Sequence, residues 1–443
     1  MPNNLVSNAQ KALLEFCALD QAKIDEIVEA ATQACVKASS ELAQMAVDET
    51  GRGNAADKDI KNGFVLEHVT SYMKSQKTCG VIKDCWESGI VEIAEPLGVI
   101  CAMTPVTNPT STVIFKALIC LKTRNPVIFS AHPAAAKCSI KAAQIVLEAA
   151  VKAGAPKHCI QWLDSPTLQG TSDLMNHEGV SAILATGGSA MVKAAYSCGK
   201  PALGVGPGNV PSYVEASANI QLAVSEILTS KAFDNGMICC SEQALIADAA
   251  IYDEVVAELK KHEVHMLSGE EKAKIEALYF GASKDQPLNA QIVGQSAQQI
   301  ASLAGFSVDS KVKVLVAQCK SANTKEEPLS REKLSPVLAL IKSKDFDEGS
   351  AMAALMVEDF GKGHTAAIYS KCEEKALAFA HKVKAVRILH NQPSTFGGIG
   401  SLYNSLIPSM TLGCGSWGKN ATSVNVNVLS LINVKRLAKR LTR

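Results

Sequence analysis

The sequence lacks the features that would place it in a membrane or export it. It has no apolar run that approaches the roughly 18 residues needed by a membrane-spanning helix. Its N-terminus, MPNNLVSNAQKALLEF, does not place a basic segment before an apolar one, as a secretory signal does. We therefore expect a cytoplasmic chain without membrane contact.

Strong charge of either sign is missing as well. The formal net charge is +1, with 44 basic and 43 acidic residues. This balance does not favour binding to nucleic acid or to an anionic surface. The 14 cysteines are scattered, without a CxxC pair or a His-rich spacing, which argues for reduced thiols and against a zinc site.

What the sequence does have is the pattern of a large α/β protein. Apolar residues make up 47% of the 443 residues, which allows two or three domains of about 100–200 residues each. Residues 8–47 show helical periodicity, and another amphipathic helix ends near Lys74. From Val91 onward, short apolar runs alternate with Ala-rich helical segments, which predicts parallel β/α construction.

Two segments are candidates for nucleophilic chemistry. In AFDNGMICCSEQALI, Cys239 and Cys240 follow a Gly-containing turn and precede a strand, where backbone N–H groups can stabilise a thiolate. A buried structural cysteine explains the same pattern, and on spacing alone it is the better explanation. In ICAMTPVTNPTSTV, Asn108 stands between Pro105 and Pro109. It is a candidate oxyanion donor, or simply a turn residue bonded to its own backbone.

Two glycine-containing segments are candidate ligand sites. After a predicted strand, a helix begins at four small residues: Thr186, Gly187, Gly188 and Ser189. The free N–H groups at such a helix start suit a phosphate, although a tight structural turn is the alternative. In PALGVGPGNVPSYV, Gly204, Gly206 and Gly208 allow a ligand or another segment to approach the backbone closely. A structural bend explains these glycines equally well.

Taken in order, these segments resemble the aldehyde dehydrogenase superfamily and, more narrowly, its CoA-acylating branch. The likeness extends to the N-terminal half of the fused aldehyde–alcohol dehydrogenases. The stretches that carry it are EPLGVICAMTPVTNPTSTVIFKALICLKTRN, ATGG, KAAYSCGKPALGVGPGN, FDNGMICCSEQ, EKLSPVLAL, GHTAAIYS, GGIGSLYN and TLGCGSWGKN. Together they are distributed over nearly the whole chain.

The resemblance implies the fold and the domains of that family. We expect an α/β protein with a Rossmann-like cofactor-binding domain at residues 1–234, which includes part of a bridging hairpin near residues 80–100. An α/β catalytic domain is expected at residues 235–400. Residues 401–443 are expected to form a bridging and oligomerisation arm, which implies a homodimer or a larger homo-oligomer.

The resemblance also implies roles for single residues. Cys239 corresponds to the nucleophile, and Asn108 to the amide that stabilises the oxyanion together with the Cys239 N–H. His364, in GHT, corresponds to a residue associated with the acylating branch. The implied cofactor-binding residues are those of the pyrophosphate turn, two ribose contacts and a glycine of the linker: Thr186, Gly187, Gly188, Ser189, His132, Glu332 and Gly206.

One departure from the family pattern bears on the mechanism. Hydrolytic relatives carry a Glu in an ELGG-like motif that activates the deacylating water, and here Gly204 fills that place. Loss of general-base help slows a reaction typically about 10²–10⁴-fold. Because a thiol attacks a thioester with less help than water needs, the missing Glu favours acyl transfer to a thiol such as CoA.

The sequence therefore predicts a CoA-acylating aldehyde dehydrogenase. We expect it to interconvert acetaldehyde, CoA and NAD with acetyl-CoA and NADH through a cysteine thioester. Succinate semialdehyde as the substrate and NADP as the cofactor are the open alternatives. A hydrolytic aldehyde dehydrogenase, an acyl-phosphate reductase and a non-catalytic assembly protein are the rival functions.

Overall fold

The computed structural model describes residues 2–85, 87–283 and 286–441, without the side chain of Ser189. The chain forms an α/β protein. Its α-helices are α1 (Pro2–Cys17), α2 (Gln21–Thr50), α3 (Ala55–Phe64), α4 (Thr70–Lys74), α5 (Pro109–Lys122), α6 (Ala136–Lys152), α7 (Leu168–Asn176), α8 (Ser189–Ser197), α9 (Ile220–Ala232), α10 (Tyr252–Leu259), α11 (Gly269–Phe280), α12 (Ala297–Leu303), α13 (Phe346–Asp359), α14 (Glu373–Lys382) and α15 (Ser394–Ile399).

The β-strands are arranged in three sheets. They are β1 (Gly80–Cys85), β2 (Ile90–Pro96), β3 (Ile100–Thr104), β4 (Val127–Ala131), β5 (Ile160–Trp162), β6 (Ala182–Thr186), β7 (Ala202–Val205), β8 (Val210–Val214), β9 (Glu242–Asp248), β10 (Val264–Met266), β11 (Val314–Cys319), β12 (Val337–Ser343), β13 (Gly363–Tyr369), β14 (Ala385–His390) and β15 (Ile432–Ala438). The strands from β3 to β14 pair in parallel, as the alternation of strands and helices predicts.

The first sheet has the strand order β5-β4-β3-β6-β7. Its side chains alternate between two covered faces. Along β3, Ile100 and Ala102 pack with α2, α5 and α6, whereas Cys101 and Met103 pack with α1, α7 and α8. Burial on both faces explains why such strands are continuous apolar runs in the sequence. This unit is the Rossmann-like sheet that the resemblance implies.

The second sheet has the order β10-β11-β12-β9-β8-β13-β14. The chain leaves the first sheet at Val205 and enters the second at Val210. The boundary expected between residues 234 and 235 therefore differs from the change of sheet, because β8 and α9 already pack within the second unit. The physical reason is that residues 206–209 cross directly between the sheets, without the long polar linker that marks many domain boundaries.

The third sheet is antiparallel and joins distant parts of the chain. The hairpin expected near residues 80–100 is β1 and β2, and β15 pairs with β2 along its whole length. Residues 401–431, expected to be part of the arm, are not free of the body, since Leu412, Val426 and Leu431 are buried in the core beside the first sheet. Residues 442 and 443 of the expected arm lie outside the described residues.

The helical segment predicted at residues 8–47 consists of two helices. The first ends at Cys17, and Asp20 caps the second by accepting a hydrogen bond of 2.8 Å from the N–H of Lys23. The sequence pattern also misses α11 and α12, which begin at capping boxes formed by Ser268 and Ser296. No helix within the described ranges is long and apolar enough to cross a membrane.

The carboxyl ends of the strands in the first sheet face the amino ends of strands in the second sheet. Beyond the carboxyl ends of β3, β4 and β6 lie Asn108, His132 and the turn after Thr186. At the amino ends of β9, β12 and β13 lie Cys239, Glu332 and His364. The Lys61 ammonium bridges the two edges, because its Nζ lies 2.6 Å from Asn108 Oδ1 and 3.2 Å from the Met237 carbonyl oxygen. The cleft between these edges is the candidate site.

Candidate active site

The loop that carries Cys239 turns sharply before β9. Asp234 and Asn235 adopt the left-handed region, with φ of 45° and 53°. Gly236 follows with φ 71°, and a side chain there would meet the Ser335 carbonyl oxygen at 2.6 Å. This turn leaves the Cys239 thiol half-buried at the amino end of β9.

The surroundings of Cys239 favour its thiolate. Its pKa is held well below the usual thiol value, first by a hydrogen bond from the Cys240 thiol, against the opposing effect of burial, and then by His364 and the charge of Arg387. His364 is fully buried, and its Nδ1 lies 2.9 Å from Thr365 Oγ1. Its Nε2 has no hydrogen-bond partner among the described residues.

Cys240 occupies the opposite environment. It is fully buried in the core, where its Sγ lies 3.4 Å from the Thr395 carbonyl oxygen, an acceptor that competes with Cys239 for the single S–H proton. Burial, followed by the hydrogen bond to Cys239, raises the pKa of the Cys240 thiol well above its usual value. The two adjacent cysteines thus differ in reactivity, and the geometry favours Cys239 as the nucleophile.

Close packing around Gly208 explains why the linker between the sheets needs a glycine at this position. A Cβ at this position would lie 2.0 Å from the Cys239 carbonyl oxygen and 3.2 Å from His364 Cγ. The Gly208 N–H donates a hydrogen bond of 3.0 Å to Glu332 Oε1. Loss of solvation raises the pKa of Glu332 to about 8, against the opposing effect of the Gly208 N–H, so this carboxyl group is mostly protonated at neutral pH.

Asn108 is placed at the start of α5, where Pro109 is the first helical residue. Its amide oxygen accepts the hydrogen bond of 2.6 Å from Lys61, and its amide nitrogen donates one of 3.2 Å to Thr107 Oγ1. The side chain does not cap its own helix. The alternative of a turn residue bonded to its own backbone therefore does not account for Asn108.

The turn after β6 leaves a helix N-terminus open. Gly188 is the N-cap of α8, and no side chain caps the helix. A Cβ on Gly188 would meet nothing within 4 Å, and one on Gly187 would meet Met191 only at 3.8 Å. Packing within the protein therefore does not require glycine at these two positions. A bulky anion bound at the helix start would require it, because a side chain would take up the space of the anion. Thr186 Oγ1 lies 3.4 Å from Thr411 Oγ1, and the side chain of Ser189 lies outside the described residues.

His132 and Gly206 occupy different parts of the cleft. His132 follows β4, and its Nδ1 accepts a hydrogen bond of 3.1 Å from the Ala134 N–H. Loss of solvation, helped by the charge of Arg52, lowers the pKa of His132. Gly206 lies in the linker between the sheets, where its backbone N–H interacts with the Cys414 thiol. The structure thus places Gly206 on the side of Cys239 and Cys414, and His132 on the side of the first sheet.

Three residues near the site have roles that the sequence did not indicate. Arg387 is buried on β14 and donates through Nε to Thr365 Oγ1, at 3.2 Å, and through Nη1 to the Gly413 carbonyl oxygen, at 2.6 Å. Its charge favours the thiolate forms of Cys239 and Cys414. An arginine within the apolar strand AVRIL is the signal that could have revealed it. Lys61, in contrast, lies in a polar segment that carries no comparable signal.

The third such residue is Tyr196, which packs against Gly204, the position that by resemblance corresponds to the Glu of hydrolytic relatives. A Cβ on Gly204 would lie 2.9 Å from Tyr196 Cε2 and 3.0 Å from Val192 Cγ1. The Tyr196 hydroxyl accepts a hydrogen bond of 2.9 Å from the Gly204 N–H. The absence of a side chain at position 204 is therefore built into the packing of α8 on β7.

Comparison with known protein families agrees with this geometry. The model of the aldehyde dehydrogenase family matches residues 3–401. An aldehyde-alcohol dehydrogenase from Streptococcus pneumoniae is 53% identical over 413 residues, which are 92% of this chain and 47% of that protein. The chain thus spans about half the length of such curated relatives. A succinate-semialdehyde dehydrogenase (acetylating) from Clostridium kluyveri is 38% identical over 439 residues, 98% of this chain and 94% of that one.

Solved structures give the same result. The structure of an acetylating aldehyde dehydrogenase from Geobacillus thermoglucosidasius has a TM-score of 0.97 and 47% identity, covering 100% of this chain and 97% of that one. A propionaldehyde dehydrogenase from Rhodopseudomonas palustris with bound CoA has a TM-score of 0.89 and 26% identity, covering 99% of this chain and 97% of that one. The family and the fold expected from the sequence are confirmed.

The opposite pKa shifts of the two cysteines lead to a labelling prediction. Iodoacetamide should modify Cys239 before Cys240, with a rate midpoint at a pH well below the usual thiol value of about 8.5. Tandem mass spectrometry assigns the labelled sulfur. His364→Ala should raise the midpoint, because His364 helps to lower the pKa of Cys239. Labelling of Cys240 first, or a midpoint near 8.5 in the unaltered protein, would contradict this assignment.

Proposed function

Because this chain belongs to the aldehyde dehydrogenase family, we propose that it is a CoA-acylating aldehyde dehydrogenase. The proposed reaction interconverts acetaldehyde, CoA and NAD with acetyl-CoA and NADH. The observation that carries the proposal is the half-buried Cys239, with its lowered pKa, in a cleft whose general-base position is occupied by a tyrosine ring. The fused relatives are about twice as long, so the activity of any further domain is no part of this proposal.

The proposed chemistry begins at the sulfur of Cys239. The thiolate attacks the aldehyde carbon, and the Asn108 amide and the Cys239 N–H donate hydrogen bonds to the resulting oxyanion. Each such donor contributes about 3–4 kcal/mol by analogy with other oxyanion sites. When bound, the nicotinamide supplies the acceptor for the hydride, and the acyl group stays on Cys239 as a thioester. His364 is positioned to accept the proton of the incoming thiol of CoA.

The residues around α8 fit a nicotinamide dinucleotide. The uncapped helix start at Gly188 offers free N–H groups to a pyrophosphate, and no atom occupies the space where a Cβ would lie. We assign the pyrophosphate contacts to Thr186, Gly187, Gly188 and Ser189. We assign the ribose contacts to His132 and Glu332, and close backbone approach near the nucleophile to Gly206.

We propose NAD rather than NADP as the cofactor. Glu49 caps the start of α6, shortly after His132, by accepting hydrogen bonds from the N–H groups of Lys137 at 2.8 Å and Cys138 at 2.7 Å. A carboxylate at this position repels the additional phosphate of NADP. The lowered pKa of His132 keeps its imidazole neutral at neutral pH, so it provides no compensating positive charge.

Acyl transfer to CoA, rather than to water, follows from what surrounds the thioester. Tyr196 occupies the space of the general base used by hydrolytic relatives. Glu332, the carboxyl group beside Cys239, is mostly protonated at neutral pH and therefore cannot act as a base there. We prefer acetaldehyde over succinate semialdehyde because the aldehyde-alcohol dehydrogenase is 53% identical to this chain and the succinate-semialdehyde dehydrogenase 38%.

We also propose roles for the three structural units. The first sheet and its helices bind the cofactor, the second unit carries the nucleophile, and the three-stranded sheet serves oligomerisation. Exposed apolar side chains near that sheet and in the segment before it support contact with a second copy of the chain. They include Tyr403, Trp417, Leu429 and Leu437.

The proposed reaction predicts strict dependence on both Cys239 and CoA. With acetaldehyde and NAD, the protein should form about one equivalent of NADH without CoA and turn over steadily with it, because only the thiol removes the acyl group. Cys239→Ala should abolish turnover in both directions while NADH still binds. Cys240→Ala should retain turnover at a reduced rate, because the Cys239 thiolate loses a hydrogen bond that lowers its pKa. NADH absorbance and chromatography of acetyl-CoA measure both.

Three outcomes of that experiment would count against the proposal. Acetate released equally fast without CoA would indicate a hydrolytic enzyme. Faster turnover with succinate semialdehyde or NADP would correct the substrate or the cofactor. Absence of NADH formation with every short aldehyde tested would favour the non-catalytic assembly protein.

The assignment of the α8 start predicts opposite effects on stability and binding. Gly188→Asp should stabilise the protein slightly, since Asp is a good N-cap residue. It should nevertheless weaken NADH binding at least about tenfold, because its carboxylate occupies the anion site at the helix start. Gly188→Ala is the uncharged control. Fluorescence titration and thermal unfolding measure the two effects, and unchanged affinity in Gly188→Asp would place the pyrophosphate elsewhere.

The packing at position 204 predicts that one substitution cannot restore hydrolysis. Gly204→Glu should lower the unfolding temperature and should not produce acetate without CoA, because Tyr196 and Val192 occupy the space of the new side chain. Gly204→Ala tests the first carbon alone and should cost part of the same stability. A gain of CoA-independent acetate release of about 10²-fold in Gly204→Glu would show that the glycine alone prevented hydrolysis.

A further inference from the structure

A buried charge cluster lies behind the proposed oxyanion site. Asp234 has no exposed surface, and its carboxylate accepts hydrogen bonds from Lys58 Nζ at 3.0 Å and Lys61 Nζ at 2.5 Å. Each lysine side chain is 3% exposed. The Asp234 backbone N–H donates to Asp57, and the Asn54 N–H donates to Asp234. Helix α3 is thereby tied to the turn that precedes Cys239.

The two lysines differ in what else they contact. The second contact of Lys58 is the Thr107 carbonyl oxygen, at 3.2 Å. Lys61 instead donates to the side-chain oxygen of Asn108 and to the carbonyl oxygen of Met237. Its three N–H donors therefore match three acceptors: Asp234 in the left-handed turn, Asn108 in the loop after β3, and Met237 in the segment that leads to Cys239, here called the cysteine loop.

The contact with Asn108 fixes the orientation of an amide that would otherwise have two. An ammonium group can only donate hydrogen bonds. The group 2.6 Å from Lys61 Nζ must therefore be the amide oxygen of Asn108 and not its amide nitrogen. The amide nitrogen must then point away from Lys61, where it donates one N–H to Thr107 Oγ1 at 3.2 Å and keeps its second N–H for an oxyanion. A flipped amide would present its oxygen to the oxyanion and would repel it.

We propose that Lys61 is a positioning residue for the oxyanion site, holding the Asn108 amide with its nitrogen towards the reacting oxygen and keeping the cysteine loop in register through Met237. The inference rests on the proposed function. Lys61 does not touch the substrate, and its effect passes through Asn108 and the loop that carries Cys239.

The electrostatics of the cluster agree with this role. Burial lowers the pKa of Lys61 to about 8, the carboxylates of Asp234 and Asp57 oppose the shift, and the charge of Lys58 adds to it. Lys61 is therefore mostly charged at neutral pH, with all three donors available. Phe233 lies under the ammonium, 5.7 Å from Nζ to the ring centroid, and limits its movement.

The chain offers a matched control for the experiment. Lys61→Met and Lys58→Met each remove one buried lysine from the same carboxylate on the same helix, but only the first removes the contact with the Asn108 amide. Lys61→Met should lower kcat with acetaldehyde and CoA about 10–100-fold, a large part of the loss expected for an oxyanion donor, with the KM for NAD unchanged. Lys58→Met should lose at most a few-fold. Thermal unfolding should report similar losses of stability in both.

A double-mutant cycle with Asn108 decides between positioning and structure. In the Asn108→Ala background, Lys61→Met should lower kcat little further, since the amide on which it acts is gone. Equal losses in both backgrounds, or an equal loss in Lys58→Met, would overturn the inference. If Lys61→Met does not fold, Lys61→Gln serves in the same two backgrounds. Absence of NADH formation by the unaltered protein would instead overturn the proposed function.

Discussion

The carboxylate of Asp234 is the constraint on which the site depends. It has no exposed surface, lies in a turn with left-handed backbone, and is neutralised by two lysines of α3. Removing either a buried charge or its partner typically costs several kcal/mol, because the remaining charge is left unpaired in a medium of low polarity. The cysteine loop is therefore held not only by the sheet that follows it but also by a helix that belongs to the other half of the molecule.

The two adjacent cysteines show how local surroundings set reactivity along a single peptide. Cys239 faces the cleft, where His364 and Arg387 favour negative charge. Cys240 faces the core, where its thiol is a donor to a backbone carbonyl and loses its proton with difficulty. When its single S–H proton is directed to Cys239 instead, it stabilises the neighbouring thiolate, so the buried cysteine assists the half-buried one. A substitution that changes either side chain consequently affects both.

Local sequence signals predicted much of the fold and indicated the segments of the candidate site. Ala-rich helices between apolar strands predicted the parallel sheets, because burial on both faces leaves a continuous apolar run in each strand. Cys239, Asn108 and the Thr186 turn came from their positions after strands or turns and from resemblance to a family. Lys61 and Tyr196 could not be found in this way, because their roles depend on contacts across more than one element. The domain boundary predicted between residues 234 and 235 does not coincide with the change of sheet at residues 206–209, because this short Gly- and Pro-containing crossing is equally typical of a bend within one domain.

Deacylation under the proposed function depends on which groups near the thioester can accept a proton. Tyr196 packs against Gly204, which by resemblance takes the place of the usual carboxylate, and Glu332 is mostly protonated at neutral pH. The remaining group is His364, whose Nε2 has no partner in the described part of the chain. An imidazole accepts a proton from a thiol, with a pKa of about 8.5, far more readily than from water, with a pKa of about 15.7. Among the described residues beside Cys239, a base of this kind therefore favours a thiol over water as the acyl acceptor by acidity, before any contact with the rest of CoA is made.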